Sequence, residues 1–128
     1  MMDAFDADVL IYAARNDVRN QGALRALDRS ENRIGSVILL PEVLSRPIRR
    51  GDEAERVFLA RWLANFDLKD VDLDVAEAAT TLGAKYALKA ADAIHLATAV
   101  IWGAERFHTN NRKDFGPHIT EIEIVHPG

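Results

Sequence analysis

Four acidic side chains stand where an α/β chain concentrates its chemistry. Asp6 closes the run Ala4-Phe5-Asp6, and Glu42 follows Pro41 at the start of a helix. Asp92 lies in the first turn of an alanine-rich helix, and Asp114 comes just after a short strand. Each has an ordinary explanation when taken alone, because acids in the first turn of a helix complement its dipole and cap free N–H groups. Four at strand-to-helix junctions carry more weight: ligands of parallel sheets bind at the carboxyl ends of the strands, so all four can face one crevice. Like charges gathered there are unfavourable unless protonated or neutralised, and ligands made only of oxygen suit a hard cation such as Mg²⁺ or Mn²⁺. The expectation is a metal site built from Asp6, Glu42, Asp92 and Asp114.

Other chemistries are thinned out by composition. There is no cysteine, which removes disulfides, thiolate nucleophiles and Cys-type zinc sites. His108, His118 and His126 show no metal-ligand spacing. His95 follows Asp92 by three residues and shares its helical face, where it serves either as a general base or, in the favoured reading, as a packed and hydrogen-bonded spacer. With 128 residues, 48% of them hydrophobic, the chain can bury one core, and residues 1–128 read as a single domain. No apolar run approaches a membrane span and the first residues are acidic, not basic, so a soluble, cytoplasmic protein without membrane contact is expected.

A net charge of −4 offers a polyanion no global attraction. A nucleic acid would have to be held by a metal ion or a local basic patch. Arg46, Arg49 and Arg50 follow Glu42, and Arg112 and Lys113 precede Asp114; either group can rim the crevice and contact phosphates. The alternative is a solvated surface, or ion pairs with Asp52, Glu53 and Glu55.

The elements that must position these groups follow from apolar spacing. Ala4-Phe5-Asp6 reads as the end of a first strand, followed by a helix through Val9, Leu10, Ile11 and Tyr12 and a second holding Leu24 and Leu27. Ile34 to Leu39 is rich in β-branched residues and stops at Pro41, which suits the first position of a helix beginning at Glu42. Val57, Phe58, Leu59, Trp62, Leu63 and Phe66 recur at helical spacing between Glu53 and Phe66. Trp62, Leu63 and Phe66 read as core, and helices spanning residues 51 to 66 can also form a groove for a partner helix. Leu68 to Leu73 suggests a third strand, Val75, Ala79, Leu82 and Tyr86 a helical stripe, and Ala90 to Trp102 a helix ended by Gly103. Arg106 to Thr109 and Ile122 to Val125 complete the strands, separated by the turn at Asn110-Asn111. Ser36 and Thr109 stand at strand ends, where their hydroxyls bind acids or phosphate, or cap the following turns. Alternating strands and helices imply an α/β fold with a central, mainly parallel sheet.

The segments FDADVLIYAA (5–14), PEVLSRP (41–47), KAADAIHLATA (89–99) and FHTNNRKDF (107–115) resemble, in order and spacing, those of PIN-domain proteins, and together those of VapC toxins. The resemblance covers essentially the whole chain. It implies a three-layer α/β/α PIN-like fold, usually a homodimer, with Asp6, Glu42 and Asp92 as the metal-binding acids around one or two Mg²⁺ or Mn²⁺ ions. Asp8 takes a position where the family often has Asn, as a neighbour that orients the loop. At the fourth corner either Asn111 or Asp114 completes the site. The resemblance also implies endonucleolytic RNA cleavage leaving a 3′-hydroxyl and a 5′-phosphate, and a VapB-like antitoxin whose C-terminal segment fills a groove and blocks the site. Three alternatives remain open: a response-regulator receiver, disfavoured because no strand-end Asp falls at mid-chain; a PIN-like RNA-binding module without catalysis; and a housekeeping nuclease without an antitoxin.

Overall fold

The computed structural model describes residues 1–128. Its elements are β1 (Met2–Phe5), α1 (Ala7–Ala14), α2 (Asn20–Arg29), β2 (Asn32–Ser36), α3 (Leu39–Arg50), α4 (Glu53–Ala64), β3 (Asp67–Lys69), α5 (Leu73–Tyr86), α6 (Ala90–Ile101), β4 (Arg106–His108) and β5 (Glu123–Val125). The strands form one sheet in the order β3-β2-β1-β4-β5, and every pairing is parallel. Parallel strands need long crossovers, which the helices supply except between β4 and β5, where residues 109–122 run as turns and irregular chain. The expected fold class is therefore observed, with a sheet that is wholly parallel.

Two apolar layers hold the helices to the sheet. On one face Phe5 packs with Val9, Leu10, Leu27, Leu39, Val43, Leu59, Leu63 and Phe66, which brings α1 to α4 onto that side. On the other, Ala4, Ile34 and Phe107 meet Val75, Leu82, Leu96, Phe115 and Ile119, under α5 and α6. Alternate residues of β1 thus serve opposite layers, as the pleat requires. The small residues Ala93, Ala97 and Ala99 let α6 lie close to the sheet, as the alanine-rich text implied.

Boundaries differ from expectation where local chemistry outweighs β-branching. The second strand runs over Asn32–Ser36, not Ile34 to Leu39: Ser36 Oγ accepts from the Ile38 amide at 3.2 Å, and Ile38 already has helical angles. The next helix consequently begins at Leu39, ahead of Glu42. Pro41 is its third residue, where the missing N–H has no intrahelical partner to lose. The third strand is Asp67–Lys69, and Asp72 turns the chain into α5 by accepting from the Val75 amide at 2.9 Å. One helix, α4, spans the region where helices from 51 to 66 were expected, because Gly51 ends α3 in the left-handed conformation at φ 69°.

Helix α5 ends less comfortably. Its cap is Ala87 at φ 54°, ψ 44°, where a Cβ crowds the backbone. Ala87 is exposed. Ala87→Gly is expected to raise stability by about 0.5–1 kcal/mol, measured by denaturant titration; an unchanged or lower midpoint would contradict the strain.

Candidate active site

Asp6 stands at the point where β1 becomes α1, and the local structure explains its place. It is the N-cap of α1, with Oδ1 accepting from the Ala7 amide at 2.8 Å. The other oxygen, Oδ2, accepts from the Thr109 hydroxyl at 2.9 Å, just beyond β4. Thr109 is fully buried and Asp6 only 5% exposed. Of the two roles open to the strand-end hydroxyls, Thr109 takes the acid and Ser36 caps a turn.

The other acids converge on the same edge. Glu42, in the first turn of α3, reaches across to α6, where its Oε1 is hydrogen-bonded to Nε2 of the buried His95. His95 is thus the packed, hydrogen-bonded group expected, fixing a carboxylate from another layer; its Nδ1 has no partner. Asp92 sits in the first turn of α6, half-buried. Asp8 accepts from the Asn110 amide with both oxygens, at 3.2 and 3.1 Å, tying α1 to the loop after β4. Asn111 and Asp114 lock together: Asn111 Nδ2 donates to Asp114 Oδ2 at 3.0 Å, and the Asp114 amide donates to Asn111 Oδ1 at 3.2 Å.

Electrostatics show how close these groups are. Burial pushes the Asp6 carboxyl upward, and the field of Glu42 adds to it, against the pull of His95, Thr109 and the Ala7 amide. Burial likewise raises Asp92, reinforced by Asp6, Asp114 and Glu42. Asp8 is pushed to about 7 by burial, then by Asp6 and Asp92. Asp8 therefore belongs to the cluster more fully than its sequence position suggested; depth in the fold, which spacing does not carry, is the reason. No lysine or arginine forms an ion pair with any of these five acids.

Such a group suits a hard divalent cation by charge and donor type, all oxygen around a buried floor with half-buried and exposed walls. No three His, Asp or Glu side chains converge into a ready ligand shell, since Glu42 is turned to His95 and Asp114 to Asn111. Mutual repulsion is what an ion would remove.

A pH signature follows. A carboxyl whose folded pKa is raised contributes stability at low pH and loses it as pH climbs through the folded value. Without divalent ions, the stability advantage of Asp8→Asn over wild type should grow from about pH 4 and level off above about 7. Chemical denaturation of both proteins across that range checks it. An advantage that shrinks with pH would show the carboxylate to be stabilised, not strained.

The basic residues divide. Arg46 and Arg49 lie one and two turns beyond Glu42 on its helical face, exposed and without ion pairs, and Arg50 is exposed beside them. Of the acids proposed as their partners, Glu53 pairs with Arg56 and Asp52 caps α4, while Glu55 forms no ion pair. Arg112 instead holds the chain's end, with Nη2 donating to the Gly128 carbonyl at 3.1 Å. Farther away, Ala54, Val57, Phe58, Arg61, Trp62 and Asn65 line a cavity of ≈ 370 Å³ along α4. Leu63 and Phe66 are core, but Trp62 is half-buried in this groove with Arg33 over its ring at 5.2 Å.

No helix is long and apolar enough to cross a membrane. Residues 4–116 match the family model of the PIN domain. A toxin–antitoxin complex from Klebsiella pneumoniae is similar over 98% of both chains, with a TM-score of 0.82 and 28% identity. VapBC2 of Rickettsia felis, bound to a promoter DNA fragment, shares the fold at 17% identity, TM-score 0.76 and 98% of both chains. So does Mycobacterium tuberculosis VapC20, a Sarcin-Ricin loop cleaving toxin, at 17% identity and TM-score 0.69, over 94% of this chain and 98% of that one. No curated protein matches the sequence.

Proposed function

The chain belongs to the PIN-domain family, and on that premise we propose that it is a Mg²⁺- or Mn²⁺-dependent endoribonuclease acting as the toxin of a VapBC-type pair. The observation that carries this reading is the mutually repelling group of Glu42, Asp92 and Asp114 around the buried Asp6, with Asp8 beside them, left without a lysine or arginine partner. The likeness to a toxin–antitoxin complex at 28% identity supports the biological context.

In this reading Asp6, Glu42 and Asp92 hold the cation. Both ends of the Asn111 amide are engaged by Asp114, so Asp114, with a carboxylate oxygen to spare, is the fourth acid rather than Asn111. When bound, the ion would lower the pKa of a water and stabilise charge on the phosphate. The protein's own part is positional: Thr109 and the Ala7 amide fix both oxygens of Asp6, His95 aims Glu42, and Asp8 braces the loop that carries Asn111 and Asp114. Arg46, Arg49 and Lys113, exposed and unpaired around the acids, contact RNA phosphates without choosing sequence.

The apolar groove of α4 takes the helical C-terminal segment of a VapB-like antitoxin, by the helix-in-groove mode. The reading includes a homodimer, checked by mass in solution, and one folded unit over residues 1–128. Purified protein should cleave RNA with Mg²⁺ or Mn²⁺ and lose that activity in EDTA. Its expression should arrest growth unless the neighbouring antitoxin gene is co-expressed. Metal and RNA binding without cleavage of any RNA would favour a binding module, and cleavage without growth arrest a housekeeping nuclease.

A further inference from the structure

A polar cavity lies on the α2 side of the sheet, and none of the acidic group lines it. It measures ≈ 320 Å³ and is lined by Arg25, Arg29, Ser30, Arg106 and His108, with Pro127 at its edge and no acidic residue among the lining. That volume is at the small end of ligand pockets. Arg25 and Arg29 are four residues apart on α2, exposed, and neither forms an ion pair. Like charges at that spacing repel, so an anion between them would relieve the helix.

Beneath the arginines is a fixed polar floor. Asp3, 1% exposed at the centre of β1, accepts from Arg106 Nε at 2.9 Å, Ser30 Oγ at 2.8 Å and His108 Nε2 at 3.1 Å. The parallel register is responsible, since Asp3 pairs directly with Arg106. Asp3 thereby holds the Arg106 guanidinium by Nε and leaves its two Nη groups without a hydrogen bond in the protein. A guanidinium held this way has lost its entropy in advance and presents the fork that phosphate oxygens match. With Nε2 given to Asp3, His108 carries an acceptor at Nδ1 that is buried and has no partner.

We propose that this cavity is a phosphate-binding subsite, its ligand the phosphate of a ribonucleotide, presented by an RNA strand or free in solution. It lies beside Asp3, three residues from Asp6 along β1, or about 10 Å by strand rise. The choice of a ribonucleotide as the bearer of the phosphate rests on the nuclease reading, whereas binding of phosphate itself does not depend on cleavage.

The test is calorimetric titration of the Asp92→Asn protein in EDTA with three probes: inorganic phosphate, adenosine 5′-monophosphate and a single-stranded RNA octamer. At least one probe should bind, and Arg25→Ala/Arg29→Ala should weaken that binding at least about 10-fold. If RNA is the ligand, the slope of log affinity against log salt should fall by about 1.4 in the double variant, reflecting two lost phosphate contacts. Equal binding of all three probes identifies free phosphate as the source; binding of the octamer alone identifies a strand. Both substituted residues are exposed, so the fold is expected to survive, and Arg25→Lys/Arg29→Lys should restore part of the affinity through charge alone. The proposal is overturned if no probe binds, or if the alanine variant binds every probe as wild type does.

Discussion

Replacing Asp6 or Asp92 with Asn is expected to lower metal-dependent RNA cleavage by at least about 100-fold while leaving the metal-free protein as stable as wild type, or more so. The two halves have one cause. Both carboxyls are raised by burial and by their neighbours' fields, so each ionised form is held at a cost that only a cation offsets. Asparagine keeps the shape, and at position 6 its oxygen can still accept from Thr109 or the Ala7 amide. What is lost is charge. Thermal melts with and without Mn²⁺ separate this from simple damage: the wild type should be stabilised by Mn²⁺ through binding to the folded state, and the variants should not. Cleavage persisting in both variants would remove these acids from the chemistry. A large drop in metal-free melting temperature would instead mean that their charges are structural.

Asp3→Ala should be strongly destabilising, by about 2–3 kcal/mol, because it removes the buried acceptor of hydrogen bonds from Arg106, Ser30 and His108. Burial alone would raise the Asp3 carboxyl, but the hydrogen bonds from Arg106, His108 and Ser30 together outweigh it and hold the carboxyl below its ordinary range. Its contribution is thus present above the usual carboxylate pKa and lost as pH falls through the lowered folded value. Asp3→Asn, which keeps an acceptor, should cost less than the alanine variant. Equal costs for the two, in urea titrations near neutral pH, would show that packing rather than hydrogen bonding holds this position.

Asp3 also marks what spacing cannot reveal. In the sequence it is one acid near the start of a strand, with no partner nearer than Ser30, 27 residues away, and Arg106 and His108 lie more than 100 residues away. Only the parallel register of β1 with β4 brings them together. The same holds for Glu42 and His95, 53 residues apart on opposite layers and joined because α3 and α6 both begin at the carboxyl edge of the sheet. His95 could be read as packed from its alanine-rich helix, but not as the residue that turns Glu42. The start of α3 illustrates the converse error, where Val37 and Ile38 favour strand and a single Ser36 hydroxyl turns the chain instead.

The sequence by itself determined the α/β alternation and that Asp6 and Glu42 stand where a strand gives way to a helix, because helical and strand periods and capping chemistry are local properties of neighbouring residues; Asp92 instead follows helix α5, and Asp114 lies in the turns after β4. It also carried the family resemblance, in short segments whose order survives without reference to space. Burial, partner choice and charge were decided only by the tertiary structure: that Asp8 joins the cluster, that Asn111 is engaged by Asp114, and that Arg25, Arg29 and Arg106 share one cavity. Those properties depend on distance and desolvation between residues far apart in the chain, and both come into being when the sheet sets its register.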